Sequence, residues 1–163
     1  MTRIAAITPA EADFAPFGAF LAPPARHNER AQFGHWLAPV DALELQCHLN
    51  SVAARALPVV LDRVEKHPHA AQVFLPVDVA RYLVTVMPAT DDGGPDPARA
   101  LCVVVPGTRG VVYRPGVWHA GIMTLDRDGH FAVLMRRGAP DDDVIATIPP
   151  LTLTGLATRE LAP

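Results

Sequence analysis

Prolines punctuate this chain from end to end, and they constrain its fold more than any other feature. Seventeen of the 163 residues are proline. Each removes a backbone donor and clashes with a preceding helical turn, so the chain favours short elements joined by turns over long helices. Between the prolines lie runs with strand character. Arg81-Tyr82-Leu83-Val84-Thr85-Val86-Met87 alternates between two faces, which predicts a strand with one buried side. Leu101-Cys102-Val103-Val104-Val105 is continuously apolar and β-branched, which predicts a strand covered on both faces, and Phe131 to Met135 is similar. Pro88 to Ala98, with Asp91-Asp92-Gly93-Gly94-Pro95-Asp96-Pro97 inside it, is a loop. Pro23 to Pro39 is a loop or exposed arm with one strand at most.

Strands at short spacing with turn chemistry between them predict a sandwich or barrel. No long amphipathic stretch of helical period competes with that reading. One short helix is expected near the start. Thr8 would be its N-cap, Pro9 its first residue and Glu11 the reciprocal capping partner, with an end near Gly18. There is no internal repeat, and the length suits one domain over residues 1–163.

Half the residues are hydrophobic and 19% are charged, so a disordered chain is excluded. The net charge is -3 and no dense Lys/Arg run occurs, which argues against a nucleic-acid or anionic-membrane surface. Cys47 and Cys102 sit beside apolar residues outside any close pair and read as buried free thiols. The apolar run Ile4-Ala5-Ala6-Ile7 is too short for a signal peptide or a span, so a reduced cytoplasm is the default location.

Two segments carry candidate chemistry. In Val64-Glu65-Lys66-His67-Pro68-His69-Ala70-Ala71-Gln72-Val73-Phe74-Leu75-Pro76, Pro68 biases His67 toward extended backbone. On a strand, Glu65 and His67 then share a face. The turn at His69-Ala70-Ala71 returns Gln72 beside them. Such a set can do general acid/base work or hold a divalent metal, or it can be a solvated strand end. In Gly110-Val111-Val112-Tyr113-Arg114-Pro115-Gly116-Val117-Trp118-His119, the Pro-Gly pair marks a tight turn that delivers Trp118 and His119 to the next strand. That pair either opens on a pocket, or is a hairpin with Trp118 in the core and His119 as a satisfied polar residue.

These residues resemble a known family. The first segment is similar to the E-R-H-P-x-x-x-Q-x-F-x-P signature of the ureidoglycolate lyases, with Lys66 in place of Arg. The second resembles that family's G-V-x-Y-x-x-x-x-W-H signature, and Phe14-Ala15-Pro16-Phe17-Gly18 its opening F-x-x-[YF]-G. The resemblance implies a cupin-like double-stranded β-helix barrel, commonly a homodimer. It also implies an enzyme that splits ureidoglycolate into glyoxylate and urea in purine (allantoin) breakdown.

Set against the cupin ligand pattern, Glu65, His67, Gln72 and His119 fall on the metal positions. Nickel, manganese, zinc or iron would suit such nitrogen and oxygen donors. The mechanism expected from these residues uses His119 as base, with Glu65 or Tyr113 supplying a proton. Arg114 is ranked ahead of Arg136 and Arg137 for the substrate carboxylate, with Gln72 and Trp118 also against the substrate. The chain departs from the family at Val112, Arg114, Ala120 and Met135, where the family usually has Asn, His, a second His and an acidic residue. Two alternatives therefore stand beside the lyase: a paralogous cupin enzyme on another small carboxylated substrate, and a non-catalytic small-molecule-binding cupin.

Overall fold

A computed structural model describes residues 2–10 and 12–156. Nearly all regular structure in them is strand: β1 (Thr2–Ala6), β2 (Gly18–Leu21), β3 (Glu44–Val52), β4 (Val59–Lys66), β5 (Gln72–Pro76), β6 (Arg81–Met87), β7 (Leu101–Pro106), β8 (Gly110–Tyr113), β9 (Trp118–His119), β10 (Met123–Leu125), β11 (Gly129–Arg137) and β12 (Val144–Leu156). The first sheet has seven strands, in the order β1-β12-β4-β9-β6-β10 with β7 on the other edge of β6. The second has five, in the order β2-β8-β5-β11-β3. These strand pairs are antiparallel except β1 on β12.

The first sheet curls until its ends meet. Ile7, just past β1, donates to the Cys102 carbonyl at 3.0 Å and accepts from the Val104 N–H at 2.9 Å. The curl encloses one core, with Leu61, Leu83, Cys102, Trp118, Leu151 and Leu153 in it. The second sheet packs over the other face of β6 and β7 around a second core, which includes Phe74, Tyr82, Val84, Val103, Tyr113 and Phe131. The result is the mainly β, curled-sheet architecture expected of a cupin-like barrel. No helix among the described residues is long and apolar enough to cross a membrane.

β6 differs from its expected half-buried character. Every residue from Tyr82 to Met87 is buried. Its alternation is real, but both faces are covered: Leu83 and Met87 enter the first core, and Tyr82, Val84 and Val86 the second. β7 is buried on both faces as its composition predicts. β11 is the reverse case, since Phe131, Val133 and Met135 are buried while Ala132 and Leu134 are only partly so.

The expected N-terminal helix is absent from the described residues. Pro9 and Ala10 lie in a turn, Glu11 lies outside the described residues, and Ala15 to Phe17 form a second turn ahead of β2. Pairing of Ile7 with β7 draws the chain into extended backbone, and that tertiary pairing outweighs the local capping pattern. The turn has its own purpose. Phe17 and Gly18 donate to the Phe14 carbonyl at 2.9 and 3.0 Å, and Phe14 stacks on Phe20 at 4.4 Å. A Cβ on Gly18 would lie 1.8 Å from the Val112 carbonyl oxygen, so only glycine allows β2 to approach β8 this closely. The arm from Pro23 to Pro39 contains no strand and one helical turn, Gly34–Leu37.

Candidate active site

The crossover from the first sheet to the second builds the site. β4 ends at Lys66 and the chain turns through His67-Pro68-His69-Ala70-Ala71 into β5. Glu65 pairs with His119 across β4 and β9, and His119 pairs with Val86 on β6, so Glu65 and His119 face the second core. The Pro115-Gly116 turn is tied to the crossover, because the Gly116 N–H donates to the His67 carbonyl at 2.8 Å. Gly116 has φ of 76°, which a proline followed by glycine supplies without strain. The opening turn supports the same corner: the Arg114 N–H donates to the Phe17 carbonyl at 2.8 Å. All three sequence motifs thus meet at one end of the molecule.

The imidazoles of His67 and His119 lie 5.2 Å apart, centroid to centroid, and Glu65 Oε1 is 3.7 Å from His119 Nε2. One donor atom from each of Glu65, His67 and His119 falls within 4.8 Å of the others. From the second sheet come Gln72 and Tyr113, directly paired across β5 and β8, and Met135, which pairs with Gln72 from β11. Tyr113 stacks on His119 at 4.4 Å, and Gln72 Nε2 donates to Met135 Sδ at 3.5 Å.

Hydrogen bonds fix the tautomer of both rings. His119 Nδ1 lies 2.9 Å from the Val117 carbonyl, which can only accept, so Nδ1 carries the hydrogen. His67 Nδ1 lies 3.0 Å from the Asp142 carbonyl and 2.9 Å from Asp143 Oδ1, with the same consequence. Both Nε2 atoms are left as lone-pair donors. They are also buried without a partner, as are Gln72 Oε1 and the Tyr113 hydroxyl. Leaving one such group unsatisfied costs about 1–3 kcal/mol, so four of them on neighbouring, paired or stacked residues mark this corner as a candidate site.

Electrostatics agree with that reading. Burial pushes the His119 pKa down to about 4, and His67 adds to the shift, while the Val117 bond opposes it. Burial, with the Glu65 charge, drives Tyr113 well above the usual phenol range, so it keeps its hydrogen. Two imidazole lone pairs beside a carboxylate form a donor set suited to a divalent transition metal.

Two residues expected against the substrate are placed elsewhere. Trp118 points into the first core, because neighbours along a strand face opposite ways. Its indole N–H donates to the Gly93 carbonyl at 3.1 Å, and Lys66 Nζ lies 4.5 Å from its ring centre. Arg114 likewise faces away from its inward neighbour Tyr113. Its Nε donates to the Ala15 carbonyl at 3.1 Å, and its guanidinium stacks 5.0 Å from the Trp36 ring on the arm. Arg136 is committed to arm carbonyls, at 3.1 Å from Leu37 and 2.9 Å from Ala38.

Arg137 is the arginine that meets the site. It lies two residues beyond Met135 on β11 and reaches Met135 Sδ at 3.7 Å. Its hydrogen bonds to the Asp143 carboxylate raise its pKa against the effect of burial, and the charges of Asp143, Asp142 and lastly Glu65 add to the shift. Asp143 holds Arg137 in a two-pronged ion pair, with Nη1 3.0 Å from Oδ1 and Nη2 on Oδ2. Sequence reasoning missed Asp143, and it ranked Arg137, with Arg136, behind Arg114 as a candidate for the substrate carboxylate. A concavity of about 630 Å³ lies elsewhere, on the outer face of the second sheet beneath Phe33 and Trp36. None of the four unpartnered atoms belongs to a residue lining it, so chemistry rather than size locates the site.

Comparison with known proteins gives the same direction. A family model described as ureidoglycolate lyase matches residues 1–153. The chain is 34% identical over 147 residues to a ureidoglycolate lyase of Azotobacter vinelandii, covering 84% of this chain and 87% of that one. It is 33% identical over 135 residues to one of Stutzerimonas stutzeri, covering 77% and 78%. A third match, 41% identical over 87 residues to one of Burkholderia cepacia, spans only about half of each chain, 53% of this one and 47% of the other.

Proposed function

The chain belongs to the ureidoglycolate lyase family, and from that premise we propose that it cleaves the carbon–nitrogen bond of ureidoglycolate to give glyoxylate and urea. The observation that carries this is the group of Glu65, His67 and His119, whose donor atoms lie within 4.8 Å of one another, with the paired Gln72 and Tyr113 bringing two more buried, unpartnered oxygens to the Tyr113 ring stacked on His119. A small polar substrate would satisfy such groups, whereas packing alone leaves them costly.

One carbon of ureidoglycolate carries a carboxylate, a hydroxyl and the urea nitrogen. Cleavage removes the hydroxyl proton, turns that oxygen's electron pair into the glyoxylate carbonyl, breaks the carbon–nitrogen bond and returns a proton to the departing nitrogen. Glu65, His67 and His119, with Gln72 Oε1 beside them, would hold a divalent metal such as nickel, manganese, zinc or iron, which would polarise the substrate's oxygens.

His119 suits lone-pair donation better than the base role its position in the motif suggests, because Nδ1 carries the hydrogen and the one free lone pair, on Nε2, is the one that would hold the metal. Glu65, which would hold the metal through one carboxylate oxygen, takes the hydroxyl proton on the other. Tyr113, which keeps its hydrogen, donates to the departing nitrogen. Arg137 receives the substrate carboxylate with the N–H groups that Asp143 leaves free.

The same reading sets the reaction in allantoin breakdown and the assembly as a homodimer. Leu45 and Leu49, 46% and 71% exposed on β3, are surface of the kind a partner covers. The decisive experiment incubates the protein with racemic ureidoglycolate, before and after chelation, and measures both products. Equal release of urea and glyoxylate that falls on chelation is expected. Bound substrate with neither product would overturn the reading in favour of a binding cupin.

A further inference from the structure

The loop after β11 reaches back to the site, and its acidic residues are all engaged. Asp141 Oδ1 lies 2.7 Å from His69 Nε2, Asp142 Oδ2 accepts from the Gly138 N–H at 2.6 Å, and Asp143 bridges Arg137 and His67. The bridge is specific in its geometry. Asp143 Oδ1 is shared between Arg137 Nη1 at 3.0 Å and His67 Nδ1 at 2.9 Å, while Oδ2 is held by Arg137 Nη2. The fork of Arg137 fixes the plane of the carboxylate and gives it a cationic partner on both oxygens.

We propose that Asp143, clamped by Arg137, is a positioning residue for His67: it holds the hydrogen on Nδ1 and turns the Nε2 lone pair into the site. The inference rests on the reading of His67 as a metal-holding group. The Asp142 carbonyl also accepts from Nδ1, at 3.0 Å. A hydrogen bond to an ionised carboxylate is roughly twice as strong as one to a neutral acceptor, and it raises the electron density at the far nitrogen. Asp143 therefore sets both the orientation of the ring and its strength as a donor. Because His67 and Arg137 share this one carboxylate, the lone pair aimed into the site and the cation beside it are held in register by a residue that touches neither substrate nor metal.

The test uses the full chain, with ¹⁵N-labelled imidazoles read by NMR after chelation and Zn²⁺ titrated calorimetrically into the same preparations. Wild type should show His67 as the Nδ1–H tautomer. Asp143→Ala should mix the tautomers and weaken Zn²⁺ binding about 10- to 100-fold. Asp143→Asn, which keeps an acceptor of the same size but no charge, should keep the tautomer and lose about tenfold in affinity. An Asp143→Ala protein with unchanged tautomer and affinity would overturn the proposal and leave the Asp142 carbonyl as sufficient. A lowered melting temperature with the tautomer intact would overturn it equally, as a purely structural role. If wild type binds no Zn²⁺, the metal reading fails, and the tautomer readout still decides what Asp143 does.

Discussion

Trp118 and His119 are neighbours on a two-residue strand and almost equally buried, at 4% and 2% exposed, yet they face two different kinds of interior. On the Trp118 side the one polar atom of the side chain is partnered, by the Gly93 carbonyl, and a lysine covers the ring. On the His119 side four polar atoms lie buried without partners. One face was shaped to be complete by itself. The other leaves its polar atoms unsatisfied, and β9 is where the two meet.

The strongest test of that division is Trp118→Ala. Emptying so large a buried site should cost about 3–5 kcal/mol, or about 10 °C in melting temperature for a domain of this size. Activity per folded molecule should change far less. A variant that melts normally but has lost turnover would show that Trp118 belongs to the site after all.

His119→Ala should give the mirror image. Turnover should fall at least about a hundredfold, in line with the several kcal/mol that metal-assisted steps supply. Losing the ring's packing on Tyr113 is offset by removing an unsatisfied acceptor, itself a cost of about 1–3 kcal/mol. The melting temperature should therefore stay nearly level. Melting and rate are measured on one preparation. A large loss of stability alongside full activity per folded molecule would make His119 a core histidine and dissolve the contrast.

The same contrast explains what the sequence could reveal. The site is legible where its chemistry lies in contiguous motifs with turn residues inside them, as in Glu65 to Gln72 and Tyr113 to His119. Facing is also legible in principle, since Tyr113 and Arg114, or Trp118 and His119, must point opposite ways on strands. The sequence does not say which of the two faces opens on the site. That depends on the pairing of Glu65 with His119 and of Gln72 with Tyr113 and Met135, which are long-range registers. Arg137 is visible only as one of three candidate arginines and Asp143 not at all, because it takes the β5–β11 register and the pairing of Val144 with Lys66 to bring them to His67. The double burial of β6 is another tertiary fact. A strand that serves two cores alternates just as a half-buried one does, so its periodicity cannot separate the cases. The N-terminal capping pattern misleads because Ile7 gains a strand partner that no local signal announces.

The smallest expected effects separate the arginines. Arg114 and Arg137 both sit at strand ends near the site, and both look suited to a carboxylate. Arg137 lies on the inward face beside Met135, whereas Arg114 stacks on Trp36 outside the barrel. Arg137→Ala should raise KM about tenfold, the scale of one charge-assisted hydrogen bond to a substrate carboxylate at about 1.5–3 kcal/mol. It should also lower kcat, since Asp143 loses its clamp, and Arg137→Lys should recover part of the KM effect by keeping the charge. Arg114→Ala removes one bond to the Ala15 carbonyl and an exposed cation–π contact of about 0.5–1 kcal/mol. It should lower the melting temperature by a few degrees at most and leave kcat/KM within about twofold, well under the 1.4 kcal/mol that a tenfold change represents. The reverse pattern, with KM rising in Arg114→Ala and unchanged in Arg137→Ala, would mean that substrate binding swings Arg114 off Trp36 and into the mouth. The inward face of β11 would then have to be given up as the carboxylate site.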